Sequence, residues 1–209
     1  MLTQDTYYQD KDYFSVSLFK QFQKCPACAM AKLRGEWETD KSKALLLGSF
    51  VDEALTGTEE SMREFLTKNE RDIFKKAGGK YAEFAQAEEA IELIKQQPLM
   101  MHYLTGEHQR IMTGEIEGVP FKIKMDSYKP GEFIADLKYM ASLRSPNLFQ
   151  PMISYWGYDI QGAIYQHLDK RNAPFVIVGV TKEAEPDITA IHIPDEDLGF
   201  ALLYVEELS

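Results

Sequence analysis

No stretch of the 209-residue sequence holds the run of about 18 apolar residues that a membrane-spanning helix needs. Its first residues, MLTQDTYYQDKDYF, are acidic and tyrosine-rich where a secretory signal would be basic and then apolar. The expectation is a cytoplasmic protein without membrane association. Cysteine is scarce, with Cys25 and Cys28 forming a single C-x-x-C. Two sulfurs cannot hold an iron–sulfur cluster that takes four cysteines. The four histidines (His102, His108, His167 and His192) lack the paired spacing of a zinc site. Because the C-x-x-C lies inside a helical pattern rather than after a strand, it reads as buried or helix-capping thiols, not a redox pair. Phosphate-cradling glycine loops are missing too: KKAGGKY (75–81) lacks the G-x-x-x-x-G-K-[ST] spacing, which excludes an ATP-driven motor. Positive charge is in deficit, the net being −10. That excludes an overall basic glove for nucleic acid, though not a local basic groove, and it suits a site that gathers cations.

What remains is an ordinary soluble composition, 44% hydrophobic, in a chain long enough for one sizeable core and short for two. No repeat, low-complexity tract or linker divides it. Apolar residues at helical spacing predict helices over 15–35 (interrupted by Pro26 and ending near Gly35), 42–57, 59–79 and 81–97. The pattern then switches. Residues 108–128 alternate on both sides of Glu117-Gly118, a hairpin signal, and 133–140 reads as a third strand after the turn KPGE. An amphipathic helix over 152–171, β-prone runs at 174–182 and 187–194, and a closing helix at 195–208 complete the pattern. The expected architecture is one α/β domain over 1–209. A mainly helical part spans 1–100, and 107–209 carries a central mixed sheet of about five strands flanked by helices.

The third strand, FIADLKYM (133–140), poses a chemical question. Residues two apart in a strand point the same way, so Asp136 and Lys138 share a face and Leu137 takes the other. Such a pair also occurs on any strand with one wet face; it gains meaning only if other polar groups converge. Asp126 lies ten residues earlier on the adjoining hairpin strand, where the turn can bring it close to Asp136. Two neighbouring carboxylates repel, and a protein keeps them when a cation or a proton sits between them. A hard divalent ion takes one or two carboxylates together with waters and phosphates. Lys138 on that face could then position a water and offset charge building on a phosphate. The chemistry implied is phosphodiester hydrolysis.

The D-x(about 10)-D-x-K pattern of Asp126, Asp136 and Lys138 resembles that of the PD-(D/E)xK nuclease superfamily. Three more stretches, in the same order as in that family, extend the likeness. GYDIQGAIYQ (157–166) looks like its Q-x-x-x-Y helix, with Gln161 and Tyr165 one turn apart. LLLGSFVDEAL (45–55) resembles its G-S-x-x-H-E helix, and SVSLFKQFQKCPACAM (15–30) its S-x-S…C-P opening. The chain is most similar to phage RecE-like and RecB-type exodeoxyribonucleases, over residues 15 to about 180.

The resemblance implies a restriction-endonuclease-like fold and an exonuclease that needs Mg²⁺ or Mn²⁺ and acts on double-stranded DNA ends. Asp126, Asp136 and Asp52 would bind metal, with the Leu137 backbone carbonyl; Lys138 would serve the attacking water, and Gln161 and Tyr165 would hold the substrate strand. It further implies a setting in phage recombination, beside a single-strand annealing protein, and a capacity for homo-oligomers. The chain departs from the pattern twice: Asp52, which could equally be a solvated helix residue, stands where many relatives have a histidine ligand, and Gln109, with Glu107 and Glu115 as near alternatives, where an acid is often found. Those departures leave open a degenerate relative that binds DNA or a partner without cutting, and the same site would also serve a structure-specific endonuclease. On the residues alone, Gln161 could instead cap a carbonyl and Tyr165 could be a core aromatic. Lys20, Arg144, Lys170 and Arg171 could contact phosphates but read as solvated surface, and Phe149 and Trp156 read as core rather than as base-stacking wedges.

Overall fold

The computed structural model describes residues 2–37 and 42–209. A short helix α1 (Gln4–Tyr7) and a two-residue strand β1 (Phe14–Ser15) lead into α2 (Val16–Lys24) and α3 (Pro26–Arg34). Four helices and a short fifth follow: α4 (Lys43–Thr56), α5 (Glu59–Lys68), α6 (Glu70–Ile73), α7 (Ala82–Lys95) and α8 (Pro98–Tyr103). Then come β2 (Glu107–Ile116), β3 (Val119–Lys129) and β4 (Phe133–Met140). Two helices, α9 (Met152–Trp156) and α10 (Tyr158–Asp169), cross over to β5 (Phe175–Thr181), and β6 (Ile188–His192) and α11 (Asp195–Leu208) end the chain.

Local chemistry explains most boundaries. Ser15 Oγ accepts the Leu18 N–H to start α2, and Ser42 Oγ accepts that of Leu45 to start α4. Pro26 occupies the first turn of α3, where its missing N–H costs nothing, and Gly35 closes that helix in the left-handed conformation. Three expectations change. The helix expected over 59–79 stops at Ile73, because Phe74 pairs with Lys80 across a turn in which Gly78 and Gly79 adopt positive φ. The helix expected over 152–171 breaks at Gly157, also at positive φ. The two cysteines are neither buried nor free thiols: they pair as a disulfide, with Cys28 exposed. The start of α3 sets them one turn apart, Cα atoms 5.3 Å from each other, within disulfide reach. The capping role holds, since Cys25 Sγ accepts the Cys28 N–H.

The sheet is mixed and runs β1-β3-β4-β5-β6, with β2 paired to β3. Strands β4 and β5 are parallel, as the helical crossover between them requires, while β2–β3, β3–β4 and β5–β6 are antiparallel. Each face carries its own core. Phe133, Ala135 and Leu137 of β4 pack with Val178 and Val180 against Phe50 and Val51 of α4 and Phe84 of α7. On the other face Ile134, Phe175 and Ile177 meet Ile164 and Leu168 of α10 and Phe19 of α2. The alternation of β4 thus buries its apolar side among the N-terminal helices and turns Asp136 and Lys138 toward α2 and α10. Among the described residues no helix is long and apolar enough to cross a membrane.

Candidate active site

The site forms where the sheet splits. Strand β3 pairs with β1 only at Phe121 and Lys122, and with β4 only from Ser127 to Lys129. Between those stretches the strands diverge, and Asp126 sits at the crotch, one step beyond the last β3–β4 pair, Ser127 with Ala135. Its Oδ2 accepts the Leu137 N–H at 2.8 Å, so a side chain closes the gap that the ladder leaves. Asp136, the next residue along β4, is only 3% exposed. Gln161 Nε2 donates to its Oδ1 at 2.5 Å, and the Lys138 ammonium pairs with its Oδ2. The structure therefore gathers Asp126, Asp136, Lys138 and Gln161 into one place, with the Leu137 backbone between the two carboxylates.

Tyr165, one turn after Gln161 on α10, is buried and donates its hydroxyl to the Lys124 carbonyl at 2.9 Å. Both signature side chains thus spend their polar atoms on the protein: Gln161 orients a carboxylate and Tyr165 braces the open edge of β3. Asp52, on α4, approaches from the other side. Thr56 Oγ1 donates to its Oδ1 at 2.9 Å and Gln109 Nε2 to its Oδ2 at 3.1 Å. Gln109 is a non-glycine residue at φ 53°, at the one step where the β2–β3 ladder skips a pair, opposite Asp126. Strain of this kind persists where the surroundings impose it, often at functional sites. Here it turns the Gln109 amide onto Asp52.

Electrostatics follow from this crowding. Burial first, and then the charges of Asp136 and Asp52, push the Asp126 carboxyl well above the usual carboxylate range, against Lys138 and the Leu137 N–H. Burial also raises Asp52, with Asp136 and Glu53 adding to it and the Thr56 bond and Lys124 opposing. Burial alone would lower the Lys138 ammonium, but Asp136 and Asp126 outweigh it and its pKa ends above the ordinary value. Among the described residues no three His, Cys, Asp or Glu side chains form a ready metal cage. A zinc-type site does not fit. A hard ion that takes one or two carboxylates and keeps its waters does fit Asp126 and Asp136, two neighbouring acids that line one cavity.

This repulsion carries a testable sign. A folded-state pKa above the unfolded one means that ionised Asp126 weakens the metal-free fold, increasingly as pH rises from the unfolded to the folded pKa. Asp126→Asn keeps an acceptor for the Leu137 N–H and removes the charge. In EDTA at neutral pH it should raise Tm by about 2–4 °C, the size of ~1 kcal/mol in a chain this long. Thermal scans of the two proteins check this, and a lower Tm for the variant would contradict it.

The carboxylates open into a cavity of about 510 Å³ that also collects Lys11, Lys20, Lys32, Lys122, Lys124 and Lys138. Asp10, Asp126 and Asp136 are the acids that line it, so a chain of net charge −10 turns locally positive here. Lys122 and Lys124 join the expected residues in this lining. Their signal was present in FKIKMD, where alternation buries Phe121, Ile123 and Met125 and leaves Lys122, Lys124 and Asp126 to line the cavity. Lys20, expected as solvated surface, is half-buried; burial and then Lys138 lower its pKa to about 8, and it donates to the Trp156 carbonyl at 3.0 Å. The Tyr158 ring lies under both Lys20 and Lys138, each 5.6 Å from its centroid. Phe149 and Trp156, expected in the core, are exposed: Phe149, by 97%, because the 141–151 segment runs over the surface between β4 and α9, and Trp156 at the last residue of α9. Arg144, Lys170 and Arg171 do not line this cavity.

Residues 15–209 match the family model described as a PDDEXK-like domain of unknown function (DUF3799). The chain is similar to a crystal structure of a provisionally named exonuclease from Eubacterium rectale. The two share 44% identity and a TM-score of 0.91 over 99% of this chain and 83% of that one. No curated protein matches.

Proposed function

The chain belongs to the PDDEXK-like family, and we propose that it is a metal-dependent deoxyribonuclease acting on the ends of double-stranded DNA. One observation carries this reading: the buried Asp136 and half-buried Asp126 carboxylates, with a lysine held against Asp136, face a lysine-lined cavity at the split of the sheet. The exonuclease likeness of the Eubacterium rectale protein supports the choice of mode. The phage-type recombination setting, beside a single-strand annealing protein, rests on the sequence resemblance.

Asp126 and Asp136 would hold Mg²⁺ or Mn²⁺, with Asp52 and the Leu137 carbonyl as further oxygen donors. The ion would supply Lewis-acid polarisation and charge neutralisation at the scissile phosphate. The remaining work falls to the chain. Gln161 fixes the Asp136 carboxylate in one orientation through Oδ1. Lys138, a charged donor on the same face, orients the attacking water and stabilises negative charge developing on the phosphate. Tyr165 holds the β3 edge, and with it Asp126, through the Lys124 carbonyl.

The test incubates the purified protein with linear and circular duplex DNA in Mg²⁺, Mn²⁺ or EDTA. The expected result is progressive loss of the linear form, an intact circle, and no reaction in EDTA. Loss of the circle would replace the exonuclease reading with an endonuclease. Survival of both forms in either metal would contradict nuclease activity.

A further inference from the structure

The N-terminal segment, residues 2–13, forms a wall of the cavity that the catalytic reading leaves without a role. It is fastened from below. Lys122, only 4% exposed, donates to the Tyr7 carbonyl at 2.7 Å and the Asp10 carbonyl at 2.8 Å, and pairs with Asp10 Oδ1 at 3.1 Å. Gln4 Nε2 adds a bond to the Gln109 carbonyl at 2.6 Å, beside the site. Three donations from one buried ammonium hold this segment firmly against β3.

What this anchoring presents is the ring of Tyr8. It is 77% exposed, yet it is not loose. Lys124 Nζ lies 4.7 Å from its centroid on one face, and the Tyr7 ring meets it edge-on at 5.2 Å. These two contacts fix the orientation of a ring that is still mostly open to solvent. Around it, Lys11, Lys32 and Lys124 line the same cavity, and none of them makes an ion pair among the described residues. An aromatic face among unpaired lysines is the combination that binds a single strand of nucleic acid, the ring stacking on a base and the ammonium groups meeting flanking phosphates. A base within a duplex has both faces covered by its neighbours and cannot use such a ring.

We propose that residues 2–13 form a single-strand shelf, in which Tyr8 stacks on an unpaired base next to the catalytic carboxylates and Lys11, Lys32 and Lys124 contact the adjoining phosphates. This deepens the nuclease reading and rests on it for the identity of the site. The shelf selects the frayed strand of a DNA end and delivers it to Asp126 and Asp136.

Fluorescence anisotropy of a labelled oligothymidylate, with closed circular duplex as the unlabelled competitor, in EDTA and low salt, tests the shelf without cleavage. Tyr8→Ala should weaken single-strand binding about tenfold, change duplex binding less than about twofold, and leave Tm unchanged. Tyr8→Phe should bind the single strand like the wild type, because stacking uses the ring and not the hydroxyl. Equal single-strand affinity for Tyr8→Ala and wild type, or a Phe variant as weak as the Ala one, would overturn the proposal. So would a wild-type protein that does not bind the single strand. Cleavage assays on the same wild-type preparation separate the two readings. A protein that cuts no DNA but shows the Tyr8 effect keeps its shelf and loses its nuclease assignment. One that cuts DNA with no Tyr8 effect does the reverse.

Discussion

Asp136→Asn should slow hydrolysis of linear duplex DNA by about three orders of magnitude or more, the scale of losing several kcal/mol of charge stabilisation at the phosphate. The substitution keeps the shape of the side chain and an oxygen for the Gln161 N–H, so the contact that fixes it survives. What disappears is the charge: one of the two carboxylates able to hold a divalent ion, and the partner of Lys138. Because Asp126 remains beside Lys138 and raises its pKa together with Asp136, the ammonium is not stranded without a counter-charge. The fold should therefore persist, with circular dichroism unchanged while cleavage is lost. Cleavage within about tenfold of wild type would show that Asp136 is not part of the metal site.

Lys138→Ala separates binding from turnover. A charged ammonium has no lone pair and cannot be a ligand, so the variant should still bind Mg²⁺ or Mn²⁺. Removing the repulsion between Lys138 and an incoming cation should leave that affinity equal or slightly tighter. Turnover should nevertheless fall by about two orders of magnitude or more, as when one preorganised donor is removed from a transition-state site. Lys138→Arg should restore only part of the rate, since a planar guanidinium does not reproduce a compact ammonium against Asp136 and over the Tyr158 ring. Metal titration by calorimetry and single-turnover cleavage on the same samples make the measurement. Loss of metal binding in Lys138→Ala, or turnover equal to wild type, would contradict this role.

The elements and the placement of the candidate site residues could be read in the sequence because they depend on local periodicity. Alternation along FIADLKYM places Asp136 and Lys138 on one side of β4 and Leu137 in the helical core on the other. The spacing of Gln161 and Tyr165 likewise puts them on one face of α10, pointing into the cavity. What the sequence hid depends on contacts between distant segments. The split of the sheet arises because β1 and β4 share one edge of β3 without filling it, and no local pattern in β3 announces that gap. Gln109 looked like a missing acid. In the structure it is a strained residue whose amide is turned on Asp52, a role set by the skipped pair in the β2–β3 ladder. Lys122 and Lys124 were visible in the alternation of FKIKMD, but the partners that give them meaning lie more than a hundred residues earlier, at Tyr7, Tyr8 and Asp10. Phe149 misled because aromatic residues are expected inside, and a surface loop between strand and helix obeys no such expectation.

The central claim is that Asp126 and Asp136 hold a divalent ion whose presence is required for DNA hydrolysis. Calorimetric titration of Mn²⁺ into wild type, Asp126→Asn and Asp136→Asn, followed by release of acid-soluble nucleotide from linear duplex DNA in the same samples, tests it most directly. The account predicts that each variant loses ion affinity and hydrolysis together while Tm in EDTA is maintained or raised. A variant that binds Mn²⁺ and cuts like the wild type, or a wild type that cuts equally well in EDTA, would contradict it.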